Sequence, residues 1–306
     1  MTAIDFQNEL TLDEPDFAAE PGAGGRRSFV RRFLEQRAAV AALVVLLLIV
    51  VVAIFAPVLA PYDPNAQDLR AILLPPRSPG HLLGTDNLGR DVLSRLMYAA
   101  RFSLLASVEA VGVGVLIGFL PGLLAGYFTG RTDWVVMRFI EAFMAFPPII
   151  LAIAVVAAIG PGLTNSMIAV GLVFAPRFAR MTRDATLAVR EETFVEAARS
   201  LGLRRSTILR RHVVPHILSP LIVMITVLAG VAMIVEAGLS FVGLGAIPPD
   251  SSWGSMLAGS IRFTTNSPWL IVWPGLCIVI TVVCFNLVGD GIKDSVGREM
   301  RRKVGT

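Results

Sequence analysis

Residues 196–215, EAARSLGLRRSTILRRHVVP, form a polar stretch with five arginines in a chain that is otherwise apolar. Val195, Ala198 and Leu201 fall on one face of a predicted helix at its start. Gly202 follows as a C-terminal cap, because glycine enters the left-handed region of backbone space at no steric cost. The stretch therefore begins with a short amphipathic helix and a turn.

A second helix is predicted after this turn. Ser206 is a suitable N-cap for it, and Ile208, Leu209 and Val213 form an apolar patch on its surface. Pro215 has no backbone N–H to donate, and it marks the point where we expect the chain to enter the next apolar span. A short amphipathic helix must bury its apolar face somewhere, and a groove on a partner protein is one recurring solution.

The composition of the whole chain indicates a membrane protein. Of its 306 residues, 55% are hydrophobic and only 16% are charged, and the mean hydropathy is +0.70. Apolar runs long enough, or nearly so, to cross about 30 Å of hydrocarbon lie at about 38–60, 102–127, 137–159, 163–180, 213–236 and 269–289. We therefore predict an all-α polytopic protein with about six transmembrane helices.

The apolar runs also divide the chain into predicted segments. Residues 1–30 are acidic, lack large apolar groups for the most part and are expected to form a disordered cytoplasmic tail. The segment 61–101 is too polar to cross, since each Arg or Asp at mid-membrane costs about 2.5–3.5 kcal/mol. The predicted order is a tail (1–30), a first transmembrane helix (31–60), an extracytoplasmic segment (61–101), a core of five transmembrane helices (102–290) and a cytoplasmic tail (291–306).

The basic residues predict the orientation of these helices. With the amino terminus in the cytoplasm, 21 of the 27 lysines and arginines fall inside. The other six lie outside: Arg70, Arg77, Arg90, Arg95, Arg101 and Arg262. Because cytoplasmic loops carry the excess of Lys and Arg, both termini and the loop 190–215 are predicted to be cytoplasmic, and the loop 237–268 is predicted to be extracytoplasmic.

Two features within the predicted spans point to close packing or to a pathway. Gly114, Gly118, Gly122 and Gly126 recur every four residues and form a smooth stripe that lets another helix approach closely. The contact could lie within this chain or between subunits. Pro147 and Pro148 should bend or interrupt the third span, which is tolerated against neighbouring helices or a cavity.

Three glutamates lie in or near the predicted spans. Glu109 is the one expected to be deep in the membrane, whereas Glu141 and Glu236 are expected near the interfaces. A structural or cavity-lining role is the expectation for Glu109, and a proton relay is the alternative.

Several classes of function find no support in the sequence. The two lysines, Lys293 and Lys303, do not follow a glycine-rich loop of the G-K-[ST] type, so no nucleotide site of that kind is predicted. His212 and His216 have a spacing that metals use, but Pro215 lies between them and no third ligand is evident. No catalytic constellation and no metal site are predicted. DNA binding by residues 196–215 is also disfavoured, because topology already explains the arginines.

The same stretch resembles the EAA signature of inner-membrane permease subunits of binding-protein-dependent ABC importers. His212 and Val214 replace the Ile and Leu of that pattern, and the residues that match it are Glu196, Ala197, Ala198, Gly202 and Pro215. GTDNLGRDVLSR at 84–95 and EAGLSFVGLG at 236–245, followed by PPDSSWGSML, are similar to the C-type subunit of the dipeptide, oligopeptide and nickel subfamily. The similarity runs from about residue 31 to residue 302.

This resemblance implies a type I importer permease in the bacterial inner membrane, surrounded by lipid and without nucleic acid. The implied partners are a second permease, two cytoplasmic ATPases that bind ATP and Mg, and an extracytoplasmic solute-binding protein. The chain itself would hold no cofactor and perform no catalysis. Its contact with an ATPase, a coupling helix, would be formed by Glu196, Ala197, Ala198, Gly202, Ser206, Ile208, Leu209, His212 and Pro215.

The resemblance also suggests what the importer carries. Asp250 and Trp253, in the loop 237–268, are predicted to contact the binding protein. Di- and oligopeptides are the expected substrates, and nickel complexes, glutathione-like peptides or glycans are alternatives. A proton-coupled carrier that works alone and a non-transporting scaffold are the rival hypotheses from other classes.

Overall fold

The computed structural model describes residues 24–304, and the regular structure in this range is helical, which confirms the predicted fold class. Two short irregular turns accompany the helices, a π-helical turn at Leu209–Val213 and a 3₁₀ turn at Ile261–Phe263. The helices are α1 Gly24–Glu35, α2 Arg37–Ile54, α3 Ala56–Leu59, α4 Val92–Phe128, α5 Gly130–Met144, α6 Pro148–Ile159, α7 Leu163–Arg190, α8 Thr193–Ser200, α9 Arg205–Ile208, α10 Val214–Phe241, α11 Trp253–Ser260 and α12 Trp269–Val304.

Within residues 24–304, four helical stretches are long and apolar enough to cross a membrane: α2, α4, α12 and the continuous stretch Arg205–Phe241. The pair α5 and α6 forms a fifth if it is counted as one span, and it bends by 89° at the break before Pro148. This break is where the proline pair was expected to interrupt the third span. Proline lacks the N–H that would continue the helical hydrogen bonding.

Helix α7 also runs from one end of the helix bundle to the other, although Arg177 and Arg180 make it more polar than the other crossing helices. Near its start, the Ser166 hydroxyl donates to the Leu244 carbonyl, which lies just after α10. At its end, Arg190 donates to the Thr129 hydroxyl between α4 and α5. Within the described residues, the chain therefore passes between the two ends of the bundle six times if the bent pair α5 and α6 is counted as one pass.

The glycine stripe of α4 packs against α7 of the same chain. Gly114, Gly118 and Gly122 are buried, and a Cβ atom at Gly118 or Gly122 would collide with the carbonyl oxygens of Ala175 and Ala179 in α7. The two backbones are therefore in direct contact, which is the use of small residues in membrane helices. Of the two alternatives left open by the sequence, the structure shows the contact within the chain.

Several helices extend past the predicted segment boundaries. Residues 24–30 belong to α1, which packs against α12. The amide of Gln36, between α1 and α2, donates to the Gly291 carbonyl of α12 over 3.3 Å. Helix α12 continues through Val304, past the expected end at 290. The remainder of the predicted tail, residues 1–23, lies outside the described range.

Helix α4 begins at Val92, ahead of the expected span start at 102, because Asp91 caps it. The Asp91 carboxylate accepts from the Ser94 backbone N–H at 2.8 Å and from the Ser94 hydroxyl at 2.7 Å. His81 Nδ1 lies 2.9 Å from the other carboxylate oxygen. A side-chain acceptor at this position satisfies the free N–H groups of the first helical turn. The segment 61–91 is thereby folded onto the start of α4.

We predict that Gly118→Val destabilises the protein more than Gly112→Val in the same helix. Valine at position 118 would force α4 and α7 apart, and overpacking of this kind costs about 1–3 kcal/mol or more. A Cβ atom at Gly112 meets nothing within 4 Å among the described residues. The apparent Tm of each purified variant in detergent is the measurement, and equal values would contradict the α4–α7 contact.

Candidate functional site

The turn after α8 has the two hydrogen bonds of a Schellman motif. The Gly202 N–H donates to the Arg199 carbonyl at 3.0 Å, and the Leu203 N–H donates to the Ala198 carbonyl at 3.2 Å. Gly202 has φ +74°, within the left-handed region that glycine occupies without strain. The helix end predicted at Gly202 is therefore present, and the chain reverses there.

The predicted N-cap at Ser206 is wrong. Arg204 has extended backbone angles and precedes the first residue of α9, Arg205, so Ser206 lies inside that helix. Helix α9 then passes through the π turn into α10, and Pro215 sits in the first turn of α10. A π turn ahead of Pro215 allows the helix to continue past a residue that has no N–H to donate.

The apolar patch of the second helix faces the interior of this chain. Ile208 is 1% exposed and Val213 is fully buried. Both belong to a cluster that also contains Val195 and Ala198 of the first helix, and Leu209 packs against it. The cluster is completed by Leu123, Tyr127 and Ile217 of α4 and α10. The expectation that Ile208 forms part of a free apolar patch for a partner is therefore wrong, because its side chain is already buried within this chain. Leu209 is partly buried, and its contact with a partner stays a prediction.

The surface that remains accessible is the turn itself. Leu201 is 81% exposed and Leu203 is 40% exposed. We define the coupling tip as these two leucines and the exposed residues around them, Glu196, Ala197, Arg199, Gly202, Arg204, Arg205 and Ser206. Sequence reasoning placed Leu201 on the buried face and overlooked Leu203. The turn predicted at Gly202 could have indicated that both leucines are exposed. Residues beside a left-handed glycine do not follow the helical periodicity from which buried and exposed faces are assigned.

His212 and His216 form a ring cluster with Phe194. The Phe194 and His216 rings are stacked with their centroids 4.8 Å apart, and the His212 ring lies 6.4 Å from Phe194. Among residues 24–304, no group of three or more His, Cys, Asp or Glu side chains could hold a metal ion. The structure therefore gives His212 a packing role at the base of the coupling tip.

The loop after α10 does not expose both of its predicted contact residues. Trp253 is 3% exposed, and its indole N–H donates to the Leu96 carbonyl at 3.0 Å. The prediction that its side chain contacts a binding protein is wrong in this conformation, because the ring fills a core between α4, α10 and α12. Asp250 is exposed and lines an open cavity of about 340 Å³ together with Phe102 and Thr164.

The glutamates are also arranged differently from the expectation. Glu109 is partly exposed. Glu236, which was expected at a well-solvated interface, is 2% exposed. Glu236 is therefore more deeply buried than Glu109. Hydropathy alone could not show this, because the residues that cover Glu236 come from a loop after α10.

Residues 114–302 match the family described as the binding-protein-dependent transport system inner membrane component. Residues 26–76 match the N-terminal transmembrane domain of oligopeptide transport permease C. The first match covers more than half of the chain, and the chain therefore belongs to the family of inner-membrane permease components of binding-protein-dependent transport systems.

Curated relatives of nearly the same length are glutathione permeases by name. The chain is 43% identical over 276 residues to the glutathione transport system permease protein GsiD of Pectobacterium atrosepticum. This alignment covers 90% of this chain and 91% of the relative. It is also 43% identical over 295 residues to the GsiD protein of Shigella sonnei, with 96% of each chain covered.

Solved structures support the fold. The chain is similar to the MetNI methionine ABC transporter in inward-facing conformations, with 20% identity, a TM-score of 0.57, and coverage of 66% of this chain and 97% of that one. A second crystal form gives 21% identity and a TM-score of 0.54, and covers 63% and 93% of the two chains. The predicted type I importer permease fold is confirmed at this level.

Family membership settles the class of the protein. It is a permease subunit of an ABC importer in the inner membrane, and it is a non-catalytic component. ATP is handled by the ATPase subunits of such a system and not by the permease. The predictions of class, localisation and the lack of a resident cofactor are thus confirmed.

We predict that Ile208→Ala destabilises the isolated chain while Leu201→Ala does not. Truncation of a buried isoleucine costs about 2–5 kcal/mol, whereas an exposed leucine makes few contacts within this chain, and such surface changes cost about 0.5 kcal/mol or less. Thermal unfolding of the two variants in the same detergent separates them. A larger loss of stability for Leu201→Ala would contradict the burial pattern described above.

Proposed function

We propose that this chain imports glutathione and other short peptides as one of two permeases that enclose the pathway. The observation that carries the substrate class is the 43% identity, over 96% of both chains, to a permease named for glutathione transport. The match of residues 26–76 to a domain of oligopeptide permeases agrees with a peptide substrate. We further propose that a solute-binding protein delivers the substrate and that two ATPases drive its passage.

The proposed orientation has both termini and the coupling tip in the cytoplasm. The excess of basic residues supports it, because 21 of 27 lysines and arginines then lie inside. The fold is compatible with it, since α1, the coupling tip and the end of α12 lie at one end of the bundle, and the segment 61–91 and α11 lie at the other. The loop with Asp250 then faces the binding protein.

The coupling tip is the proposed contact with an ATPase. Its two exposed leucines offer apolar surface, and Arg199, Arg204 and Arg205 offer positive charge to an acidic rim. Burial of one leucine contributes about 1.5–3 kcal/mol, whereas association of two proteins costs about 4–15 kcal/mol. One tip alone would bind weakly. We therefore expect both permeases to dock at the same time, so that the assembly is held by two tips and by the permease–permease contact.

Glu109 is proposed to face the pathway or the second permease. It lies inside the crossing part of α4 and is partly exposed in this chain. An ionised carboxylate in hydrocarbon is costly, and intramembrane ionisable side chains face protein or water-filled cavities. Thr164 at the start of α7 lines the cavity that contains Asp250. This cavity is the proposed outer mouth of the pathway, and the bend at Pro147 and Pro148 is proposed to line it further inside.

The test of this function is uptake by the reconstituted complex. We expect proteoliposomes that contain both permeases and both ATPases to accumulate labelled glutathione when ATP is inside and the loaded binding protein is outside. Mass spectrometry of the ligand retained by the purified binding protein provides an independent measurement. Retention of a nickel complex by the binding protein would contradict the proposed peptide substrate. Uptake by this chain alone, driven by a pH gradient without ATP, would contradict the proposed mechanism.

A further inference from the structure

A buried carboxylate ties the end of α10 to the start of α11. Glu236 is 2% exposed, and its Oε1 accepts hydrogen bonds from two serine hydroxyls. Ser240, one helical turn further along α10, donates at 2.7 Å, and Ser252, the N-cap of α11, donates at 2.6 Å. Burial of a polar group is unfavourable unless it is hydrogen-bonded. If this position served packing alone, an apolar side chain would fill it equally well.

The first turn of α11 is built to approach this carboxylate closely. A Cβ atom at Gly254 would lie 2.8 Å and 3.1 Å from the two carboxylate oxygens of Glu236, and any side chain there would displace them. Ser252 also forms a capping box with Ser255, whose backbone N–H donates to the Ser252 hydroxyl at 3.1 Å. The residue that starts α11 is therefore the same residue that holds it to Glu236.

A second contact fixes the other side of the same turn. The Trp253 backbone N–H donates to the Ser103 hydroxyl of α4 at 2.9 Å, and the Trp253 ring packs near Met233 of α10. Helix α11 is thus seated on α4 and α10 by hydrogen bonds as well as by apolar contact. The loop that contains it is attached to the bundle at its centre, and not only at its two ends.

The opposite end of α10 leads to the coupling tip. Residues Arg205–Phe241 form one continuous helical stretch of 37 residues, which spans about 55 Å at 1.5 Å per residue. It begins beside Gly202 in the coupling tip and passes Glu236 one turn before its end. One continuous helical stretch therefore connects the surface proposed to meet an ATPase with the loop proposed to meet a binding protein.

We propose that Glu236 is a positioning residue that locks α11 onto α10, so that the loop 242–268 moves with α10 as one body when the coupling tip is displaced. This inference rests on the proposed function. Through this lock, a loaded binding protein seated on the loop biases the position of the coupling tip, and the ATP state of the ATPases biases the position of the loop. Such coupling between two sites is reciprocal.

Four serine and glutamate variants in the assembled, reconstituted complex separate this role from a general structural one. Ser252→Ala and Glu236→Ala remove the link between the helices. Ser240→Ala removes a bond to the same carboxylate from within α10, and Ser255→Ala disturbs the α11 cap without touching Glu236. In Ser252→Ala and Glu236→Ala, we expect stimulation of ATP hydrolysis by the loaded binding protein to fall roughly tenfold, within the usual range for lost coupling. In Ser240→Ala and Ser255→Ala, we expect this stimulation to persist. Basal hydrolysis should be unchanged in all four.

A conservative variant provides the rescue. Glu236→Gln keeps a side-chain oxygen of the same reach, and we expect it to retain stimulation where Glu236→Ala loses it. If the alanine variant fails to assemble, the comparison of Ser252→Ala with Ser255→Ala still decides the question. Equal stimulation in these two serine variants would overturn the proposal.

A distance measurement tests the lock directly. Spin labels at Ile234→Cys in α10 and Gly259→Cys in α11, with Cys277 and Cys284 replaced by alanine, report the separation of the two helices. Ile234 is 55% exposed, and a Cβ atom at Gly259 meets nothing within 4 Å among the described residues. We expect the same narrow distance distribution with and without trapped ATP, and a broadened one in Glu236→Ala. A wild-type distance that changes with ATP, or an unbroadened alanine variant, would overturn the proposal.

The two proposals fail in different ways. If the wild-type complex hydrolyses ATP without any response to the binding protein, the proposed function fails, while the spin-label distances still report whether Glu236 holds α11. If the wild-type complex responds and Glu236→Ala responds equally, the proposed function stands and the lock alone is wrong.

Discussion

The backbone contact between α4 and α7 is the constraint on which the rest of the structure depends. Gly118 and Gly122 bring the two helices so close that no side chain fits between them, and Phe174 and Phe178 fill the adjoining core. The start of α7 is thereby placed against Leu244 in the loop after α10. Its end is placed beside Thr129, from where the chain enters α8. Both candidate surfaces are therefore positioned by one pair of helices.

Residues 196–215 divide into a buried part and an exposed part, and a partner can contact only the exposed part. Ile208 and Val213 serve the interior, where α4 and α10 cover them. Leu201 and Leu203 project at the reversal at Gly202. The helical stretch that follows continues to Glu236, so one helical element joins the tip to the distant loop. In the proposed mechanism, the permease responds to nucleotide without binding it, because displacement of the tip also displaces the helix.

The sequence predicted the elements better than their contacts. Apolar runs located the crossing helices, and local rules located the turn at Gly202 and the break before Pro148, since these depend on the backbone chemistry of single residues. Periodicity could not show whether Ile208 faces α4 or a partner, because both burials leave the same pattern. Trp253 and Glu236 were misplaced for a related reason. Their surroundings are formed by α4 and α11, and such long-range contacts leave no trace in a local window.

The central claim is that Leu201, and not Ile208, meets an ATPase. A photo-reactive amino acid placed at Leu201 in the assembled complex, with the same group at Ile208 as the matched position, tests it most directly. The structure predicts a cross-link from position 201 to an ATPase subunit, and cross-links from position 208 only within this chain. Capture of an ATPase from position 208, with none from position 201, would contradict the account.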